Sequence, residues 1–282
     1  MSEPPKKGMM ASFFSSVLEP FREKESVVLL ETDSEYGHIT VTEKSNVRTL
    51  FMGPFGLEAE TSMNVDDPDA PVFEYPGLMF MSLPVCDLNT DILLVGLGGG
   101  YIPRLFQNYL PRKNLTVVEI DPTIVDISER FFNFTPGKNV KIEVRDGLEY
   151  ISSAPKAHFD QIWMDAFDGN YIPEHLASEE FLEICRYHIK PGGLLVQNLH
   201  ATKKERYFEQ LLKTARVFGE SPMIFNGKRC ANSVLMSHNS PPGRHPLTSG
   251  IVLNRVKERL QTVGPYDLRK EARKLIKLPS LP

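Results

Sequence analysis

Residues 92–100 read ILLVGLGGG, and this stretch decides the fold of the chain. Its first residues are apolar, which is typical of a strand buried on both faces of a parallel sheet. The Gly-x-Gly-x-Gly sequence that follows is typical of the turn from such a strand into a helix, where glycine lets the backbone approach a ligand closely. The stretch therefore predicts a ligand site at a loop that contains Gly96, Gly98 and Gly100.

Two later stretches indicate which ligand the loop binds. Residues 117–122 read VVEIDP, and their glutamate lies about 20 residues after the glycine loop, where such folds bind the two ribose hydroxyls with a carboxylate. Residues 144–147 read VRDG and offer an aspartate at another strand end, suited to accept a hydrogen bond from an adenine amino group. The predicted cofactor-binding residues are Gly96, Gly98, Gly100, Glu119, Ile120, Asp146 and Gly147.

The residue after the loop separates two classes of nucleoside ligand. A nicotinamide-dinucleotide fingerprint, counted from Gly96, would place its third glycine at the position of Tyr101. We therefore predict S-adenosylmethionine or a relative of it in preference to NAD. A tight turn that binds no ligand is the remaining alternative.

The composition excludes several classes of protein. The 282 residues are 41% hydrophobic and 24% charged, as in a globular protein, and the formal net charge of −4 gives no basic surface for nucleic acid. No segment approaches the roughly 20 apolar residues of a membrane span. Cys86, Cys185 and Cys230 are far apart and odd in number, which predicts neither a disulfide framework nor a zinc site. We expect a cytoplasmic protein without a metal, a membrane partner or a nucleic-acid partner.

The pattern of apolar residues predicts an α/β fold. Residues 26 to about 56 alternate in the manner of strands, which predicts a small N-terminal antiparallel sheet. From Asp91 onward strands and helices alternate, which predicts a Rossmann-like, doubly wound and mostly parallel sheet, and two short helices are expected near 250–263 and 266–276. The predicted parts are an N-terminal helix or extension (1–25), a β-rich domain with a connecting helix (26–88), a Rossmann-like catalytic domain (89–240) and a C-terminal helical extension (241–282).

A pair of carboxylates follows another apolar strand. Residues 162–164 read IWM, and Asp165 and Asp168 come directly afterwards in the sequence DAFD. Open α/β sheets bind ligands at the carboxyl ends of their strands, so both carboxylates are expected in the same crevice as the nucleoside. The alternative interpretation is a helix N-cap and a solvated loop charge.

Together, the glycine loop, the ribose-binding glutamate, the DAFD sequence and the N-terminal sheet resemble the spermidine-synthase-like family over residues 26–240. The resemblance implies the class I methyltransferase type of fold. In aminopropyltransferases of this family the first aspartate of the loop lies beside the amine that is alkylated and the second helps to hold the acceptor, which assigns these roles to Asp165 and Asp168. The resemblance also implies that Asp165 contacts the cofactor, that Tyr36 and Tyr75 form walls of the substrate channel, and that the chain forms a homodimer.

Three positions depart from the family pattern. Spermidine synthases have an aspartate in the glycine loop that binds the amino group of decarboxylated S-adenosylmethionine, and this chain has Gly99 there. They have Tyr-His-Glu where residues 75–77 read YPG, and a glutamine that contacts the donor's tail is replaced by Glu60. The Gly-Leu-Gly-Gly-Gly form of the loop resembles the eukaryotic methyltransferase-like branch that modifies amines of translation elongation factor.

The glycine at position 99 leads to the functional prediction. Loss of a carboxylate there removes repulsion against the carboxylate of intact S-adenosylmethionine. We therefore predict an S-adenosylmethionine-dependent methyltransferase that acts on an amine of a small molecule or a protein. An aminopropyltransferase that makes a polyamine from decarboxylated S-adenosylmethionine is the first alternative, favoured by Asp165 and Asp168 and opposed by Gly99 and Pro76. A catalytically silent relative that binds nucleoside or a partner protein is the second.

Overall fold

The computed structural model describes residues 25–276 apart from 54–57, 168–170, 203, 220–221, 229 and 241–247. The first 24 residues, where an N-terminal helix or extension is predicted, lie outside the described residues, and so does Asp168. Within the described ranges, every helix is too short or too polar to span a bilayer.

An antiparallel sheet forms the N-terminal part of the described chain. Its strands are β1 (Val27–Ser34), β2 (Gly37–Lys44), β3 (Val47–Met52) and β4 (Glu58–Asn64), and they lie side by side in chain order. Ser45 and Asn46 connect β2 to β3 with φ values of +51° and +64°, the left-handed conformation that a tight two-residue hairpin turn requires. Ile39, Val41 and Leu50 are completely buried, so one face of this sheet belongs to the main core of the molecule.

The remaining strands form a central sheet and one short hairpin. In chain order they are β5 (Asp91–Val95), β6 (Asn114–Glu119), β7 (Val140–Val144), β8 (Phe159–Met164), β9 (Ile189–His200), β10 (Met223–Asn226), β11 (Asn232–His238), β12 (Thr262–Val263), β13 (Tyr266–Asp267) and β14 (Leu275–Ile276). Among the described residues the central sheet has eight strands in the order β14-β10-β11-β9-β8-β5-β6-β7. Strands β5 to β9 run parallel, and β11, β10 and β14 are antiparallel to their neighbours. The predicted fold, a mostly parallel central sheet with a small antiparallel N-terminal sheet, is confirmed.

Both faces of the central sheet are buried. In β5, Ile92 and Leu94 join one hydrophobic core, whereas Leu93 and Val95 join the other, which explains the unbroken apolar run in the sequence. The helices among the described residues are α1 (Tyr75–Phe80), α2 (Ser82–Val85), α3 (Tyr101–Tyr109), α4 (Pro122–Phe132), α5 (Gly147–Ser153), α6 (Glu179–His188), α7 (Lys204–Phe218), α8 (Ser249–Glu258) and α9 (Leu268–Glu271), with 3-10 helices at Glu174–Leu176 and Ala272–Lys274.

The order of the strands creates a crevice at one edge of the sheet. Strand β5 lies between β6, which follows it in the chain, and β8, which starts the other half of the sheet. Such a switch point leaves a crevice at the carboxyl ends of the two central strands. The glycine loop after β5 and Asp165 after β8 both lie at this crevice.

The C-terminal part differs from the prediction. A helix is expected near 266–276, but the chain forms the hairpin β12–β13, the short helix α9 and strand β14, which is hydrogen-bonded to β10. Gly264 has a φ of +53°, which permits the tight turn in which Val263 pairs with Tyr266. The prediction of a purely helical extension is therefore wrong here, because pairing with a strand distant in the sequence decides the structure of residues 275–276.

Candidate functional site

A cavity of about 870 Å³ lies at the carboxyl ends of the central parallel strands and is also lined by the N-terminal sheet and α1. Its volume falls in the range of ligand pockets, roughly 300–1,000 Å³. The predicted site residues that line it are Tyr36, Tyr75, Gly96, Gly98, Glu119, Ile120, Asp146, Gly147 and Asp165. The structure therefore brings most of the predicted site together around one cavity.

Two glycines of the loop permit close packing at the cavity wall. Gly96 has a φ of +100°, and a side chain at this position would overlap the main-chain carbonyl of Asp165. Gly98 has a φ of +51°, and a Cβ atom there would lie 2.6 Å from Oγ1 of Thr61. Glycine is thus required at both positions by the protein's own packing, and the same lack of side chain leaves the backbone open to a ligand.

The other two glycines of the loop are not among the described residues that line the cavity. A Cβ atom at Gly100 would lie 2.5 Å from the ring of Phe134. A Cβ atom at Gly99 would lie 2.8 Å from Cγ of Phe132 and 2.8 Å from Cγ2 of Thr61. Gly100, which is predicted to bind the cofactor, is thus packed against Phe134 and is not among the residues that line the cavity.

Glu119 ends β6 and is held by main-chain groups. Its Oε2 accepts a hydrogen bond from the N–H of Leu97 at 2.9 Å, and its Oε1 accepts one from the N–H of Asp121 at 3.0 Å. Burial raises the pKa of the Glu119 carboxyl group, while these main-chain donors oppose the rise. The main chain of Ile120 is a third donor to this carboxylate. Because a carboxylate offers about four acceptor positions, it keeps the capacity to accept a hydrogen bond from a ligand hydroxyl.

Asp121 adds a second carboxylate beside Glu119. Its Oδ1 accepts a hydrogen bond from the N–H of Thr123 at 2.8 Å and so caps α4. Its Oδ2 is buried and has no hydrogen-bond partner among the described residues, although Asp121 lines the cavity. A buried acceptor in a cavity wall fits a site that receives a hydrogen-bond donor from a ligand.

The two carboxylate oxygens of Asp146 contact different partners, the N-terminus of a helix and a histidine side chain. Its Oδ1 caps α5 by accepting a hydrogen bond from the N–H of Glu149 at 3.0 Å, and its Oδ2 lies 2.9 Å from Nε2 of His175. His175 also lines the cavity. Because Oδ1 caps α5, Oδ2 is the oxygen left for the predicted contact with an adenine amino group, and a side chain of the 3-10 helix Glu174–Leu176 already engages it.

Asp165 is held by side chains from two other elements. Its Oδ2 accepts a hydrogen bond from the Tyr75 hydroxyl at 3.2 Å, and its Oδ1 accepts one from the Asn198 amide at 2.8 Å. Asn198 is 1% exposed and its Oδ1 accepts a hydrogen bond from the Asn232 amide at 3.1 Å. A chain of hydrogen bonds from β11 through β9 therefore ends at the Asp165 carboxylate.

The surroundings of Asp165 make it a weak acid. Burial raises the pKa of its carboxyl group to about 7, although the hydrogen bonds from Asn198 and Tyr75 lower it. Burial also raises the pKa of the Tyr75 phenol well above its usual value, so this hydroxyl keeps its proton and remains a donor. A carboxylate with a pKa close to 7 can accept a proton at neutral pH, as a general base must.

The cavity is acidic. The carboxylates among its described lining residues belong to Glu60, Glu119, Asp121, Asp146 and Asp165, whereas the guanidinium of Arg145 is the opposing fixed cation. An excess of negative charge in a cleft favours a cationic ligand. Across the described ranges, the side chains of His, Cys, Asp and Glu form no group of three or more that could hold a metal ion.

Several residues at the site are not among those predicted from the sequence. Asn198 lies in a buried strand, and the polar pair Gln197 and Asn198 within an otherwise apolar run is the signal that could have revealed it. Thr61, His175 and Asn232 carry no comparable signal, because their partners at the site are far away in the sequence.

The family whose domain the chain matches agrees with the names of its relatives. The spermine/spermidine synthase domain family matches residues 77–226. A polyamine aminopropyltransferase of Vibrio vulnificus is 32% identical over 233 residues, which cover 81% of this chain and 78% of the relative. A polyamine aminopropyltransferase of Chromobacterium violaceum is 30% identical and covers 80% of this chain and 92% of its own.

Solved structures share the fold at lower identity. A probable spermidine synthase from Corynebacterium glutamicum superposes with a TM-score of 0.65 at 22% identity, covering 86% of this chain and 93% of its own. Human methyltransferase-like protein 13, solved in complex with SAH, has a TM-score of 0.59 at 20% identity and covers 73% of this chain and 96% of its own. Both likenesses establish the fold alone.

The sequence-based preference for methyl transfer is wrong. The relatives that match most of the chain are aminopropyltransferases. The eEF1A lysine and N-terminal methyltransferase of Mus musculus is 37% identical, but over only 44% of this chain and 19% of its own length. The prediction relied on Gly99, and the structure offers a second explanation for this glycine: Phe132 and Thr61 pack where a side chain at position 99 would project.

Proposed function

Because the chain belongs to the spermine/spermidine synthase family of transferases, we propose that it transfers an aminopropyl group from decarboxylated S-adenosylmethionine to an amine acceptor of the polyamine type. The products are a longer polyamine and methylthioadenosine. The observation that carries the proposal is the Asp165 carboxylate, held by Tyr75 and Asn198 in an acidic cavity of suitable size for a nucleoside ligand.

The donor's nucleoside is proposed to lie between the glycine loop and the ends of β6 and β7. Glu119 accepts hydrogen bonds from the ribose hydroxyls, and Asp146 accepts one from the adenine amino group. Ile120, 36% exposed, offers an apolar surface to the base. The glycine loop, through Gly96 and Gly98, packs against the ribose and the sulfur, where a side chain would block the approach.

The transfer requires a neutral amine in line with the carbon–sulfur bond. An alkyl ammonium with a pKa of about 10.4 is neutral in only about one molecule in 2,500 at pH 7. The nitrogen lone pair forms the new nitrogen–carbon bond, the carbon–sulfur bond breaks with its electron pair passing to sulfur, and the nitrogen gives up one proton. Asp165 is the proposed acceptor of that proton.

The raised pKa of Asp165 suits this role. A carboxyl group with a pKa of about 7 takes a proton at neutral pH far more readily than an ordinary aspartate. The positive charge of the sulfonium disappears as the neutral thioether forms, so a poorly solvated cavity also favours the transition state.

The acceptor is proposed to enter past the tyrosines of the N-terminal part. Tyr36 is 46% exposed at the turn between β1 and β2 and lines the cavity, and Tyr75 lies beside Asp165. We assign these two side chains to the walls of the acceptor channel and Asp168 to a distal ammonium of the acceptor. The structure does not describe Asp168, and its role stays a prediction.

The proposal is tested by offering the purified protein decarboxylated and intact S-adenosylmethionine in separate reactions with a series of diamines. Mass spectrometry should detect an aminopropylated amine and methylthioadenosine only with the decarboxylated donor. A methylated amine, or the absence of product from every diamine and longer polyamine, would reject the function.

A homodimer remains a prediction with one supporting feature. In the order of the N-terminal sheet β1 is an outer strand, and its Val27 and Val28 are 57% and 56% exposed. An apolar strand edge is a surface on which a second chain can pair. Light scattering should give twice the chain mass of 31.9 kDa, and the monomer mass at micromolar concentration would reject the dimer.

A further inference from the structure

Resting on the proposed aminopropyl transfer, we propose that the C-terminal segment, residues 249–276, positions the Tyr75 hydroxyl on the Asp165 carboxylate through Lys274 and Tyr266. Both residues lie outside residues 77–226, which the spermine/spermidine synthase domain matches. They contact the chain at the start of α1, whose first residue is Tyr75. Lys274 and Tyr266 are not among the residues that line the cavity, so they act on the reaction through Tyr75.

Lys274 binds the residue that precedes Tyr75. Its ammonium forms ion pairs with the carboxylates of Glu74 and Glu271. Glu74 is 7% exposed, and the side chain of Lys274 is 10% exposed. A buried ion pair resists separation, because each partner would be left as an uncompensated charge in a poorly solvated place. The end of the C-terminal segment is thereby fixed to the start of α1.

Tyr266 holds the same stretch of chain from the hairpin β12–β13. Its hydroxyl donates a hydrogen bond to the main-chain carbonyl of Phe73 at 2.8 Å, two residues before Tyr75. Its ring packs where a side chain at position 77 would project, and it lies 6.3 Å from the ring of Phe80 between centroids. Gly77 is one of the positions at which the sequence departs from the family pattern. This glycine lets the hairpin pack directly on α1.

The Tyr75 hydroxyl depends on such support. It donates to Oδ2 of Asp165 at 3.2 Å, which is longer than the usual O–H···O distance of roughly 2.5–3.0 Å. A small displacement of α1 therefore breaks this hydrogen bond. Because the C-terminal segment holds both sides of Tyr75, at Phe73 and Glu74 before it and at Gly77 after it, the segment limits that displacement.

Glu74 has a further partner that decides which residue to vary. Its Oε2 accepts a hydrogen bond from the main-chain N–H of Lys228 at 2.7 Å, in the connection between β10 and β11. That connection leads to Asn232, which belongs to the hydrogen-bond chain on Asp165. A change of Glu74 would disturb both donors of Asp165, whereas a change of Lys274 leaves the bond from Lys228 in place.

The test is Lys274→Met, which keeps an unbranched side chain and removes the ammonium. Steady-state kinetics should show a fall in kcat of about three- to tenfold, the value of one ordinary hydrogen bond. Methylthioadenosine should bind within about twofold of wild type in calorimetry, because the proposed nucleoside contacts are intact. Tyr266→Phe removes only the hydroxyl that binds Phe73 and should act in the same direction; it is the second variant if Lys274→Met does not fold.

A double variant separates positioning from a general loss of stability. Tyr75→Phe already lacks the hydroxyl, so adding Lys274→Met to it should lower kcat further by less than about twofold. The matched control is Arg259→Met. Arg259 lies in the same C-terminal segment and forms an ion pair with Asp87 at 2.6 Å, beyond the end of α2, and its loss should leave kcat unchanged. Equal losses in Lys274→Met and Arg259→Met, or an undiminished loss in the double variant, would overturn the proposal.

The acidity of Asp165 provides a readout that needs no turnover. Other titratable side chains that line the cavity come from β4, β9 and the β10–β11 connection, namely Glu60, His200 and Cys230. Burial is the main cause of the high pKa of Tyr75, and Asp165, Glu60 and Cys230 add to it. The variants leave Glu60, His200 and Cys230 in place, so a shift in the pKa of Asp165 reports on its hydrogen bonds.

Infrared difference spectroscopy, with Asp165→Asn as the reference, measures the pH at which Asp165 takes up its proton, about 7 in wild type. The hydrogen bond from Tyr75 lowers this pKa, so its loss in Lys274→Met should raise the midpoint by about half a unit to one unit. Arg259→Met should keep the wild-type midpoint. An unchanged midpoint in Lys274→Met, with a raised one in Tyr75→Phe, would overturn the positioning role. A raised midpoint in a protein whose wild type forms no aminopropyl product would reject the proposed function alone.

Discussion

The two sides of the cavity hold their carboxylates in different ways. On the side proposed for the nucleoside, which we call the nucleoside side, main-chain N–H groups bind Glu119 and one oxygen of Asp146. On the side proposed for the reacting amine, which we call the reacting side, the side chains of Tyr75 and Asn198 bind Asp165. Main-chain donors are fixed by the strand ends themselves and do not depend on side-chain identity. Each side-chain donor depends on the identity of one residue, so we expect substitutions of Tyr75 and Asn198 to change the pKa of Asp165.

The largest expected effect is on the reacting side. Asp165→Asn removes the proposed base and should lower kcat by about 10²- to 10⁴-fold, while affinity for methylthioadenosine changes little, because the nucleoside contacts are intact. Steady-state kinetics and calorimetry separate the two quantities. Asp126→Asn, on the exposed part of α4, is the control and should retain wild-type kcat. An Asp165→Asn protein with near-normal kcat would remove Asp165 from the mechanism.

The corresponding change on the nucleoside side should affect binding. Glu119→Ala should weaken methylthioadenosine binding by about 1.5–3 kcal/mol, or roughly 10- to 150-fold, because charged hydrogen bonds to the ribose are lost. With saturating donor, kcat should fall much less than in Asp165→Asn. Glu129→Ala, exposed on α4, should bind as wild type does. Unchanged affinity in Glu119→Ala would refute the ribose assignment.

The dependence of the rate on pH tests whether hydrogen bonds from side chains control the pKa of Asp165. Because the pKa of Asp165 is about 7, the wild-type rate should fall as pH drops below 7, where the protonated carboxyl group cannot accept another proton. Asn198→Ala removes a hydrogen bond that lowers this pKa, so the acidic limb should move to higher pH, by about one unit. Asn232→Ala, one hydrogen bond further away, should move it less. A limb that stays in place in Asn198→Ala would contradict the proposed control of Asp165.

The smallest expected effect concerns the one side-chain partner on the nucleoside side. His175 engages the Oδ2 of Asp146 that the adenine amino group is proposed to use. His175→Ala should therefore tighten methylthioadenosine binding by about two- to tenfold, the value of one ordinary hydrogen bond. Calorimetry at constant pH gives the comparison, with Glu174→Ala on the same 3-10 helix as control. Weaker binding in His175→Ala would mean that the histidine itself contacts the ligand.

The difference between main-chain and side-chain donors also explains which parts of the site could be predicted from the sequence. Glu119 and Asp146 follow apolar runs directly, so their places at strand ends can be derived from the local sequence. Asn198, Asn232 and Thr61 act through partners on other elements, and no periodicity encodes such partners. Gly99 shows the risk of a purely local interpretation: its missing charge suggests a different donor, whereas Phe132 and Thr61 explain it by packing.

By itself, the sequence determines the α/β fold, the parallel core and the positions of Glu119 and Asp146 at strand ends, because unbroken apolar runs and glycine turns act over a few neighbouring residues. The tertiary structure alone decides the pKa of Asp165 and the pairing of β14 with β10. Each of these depends on contacts between residues that lie far apart in the chain. Burial, strand register and close packing arise only when those segments meet.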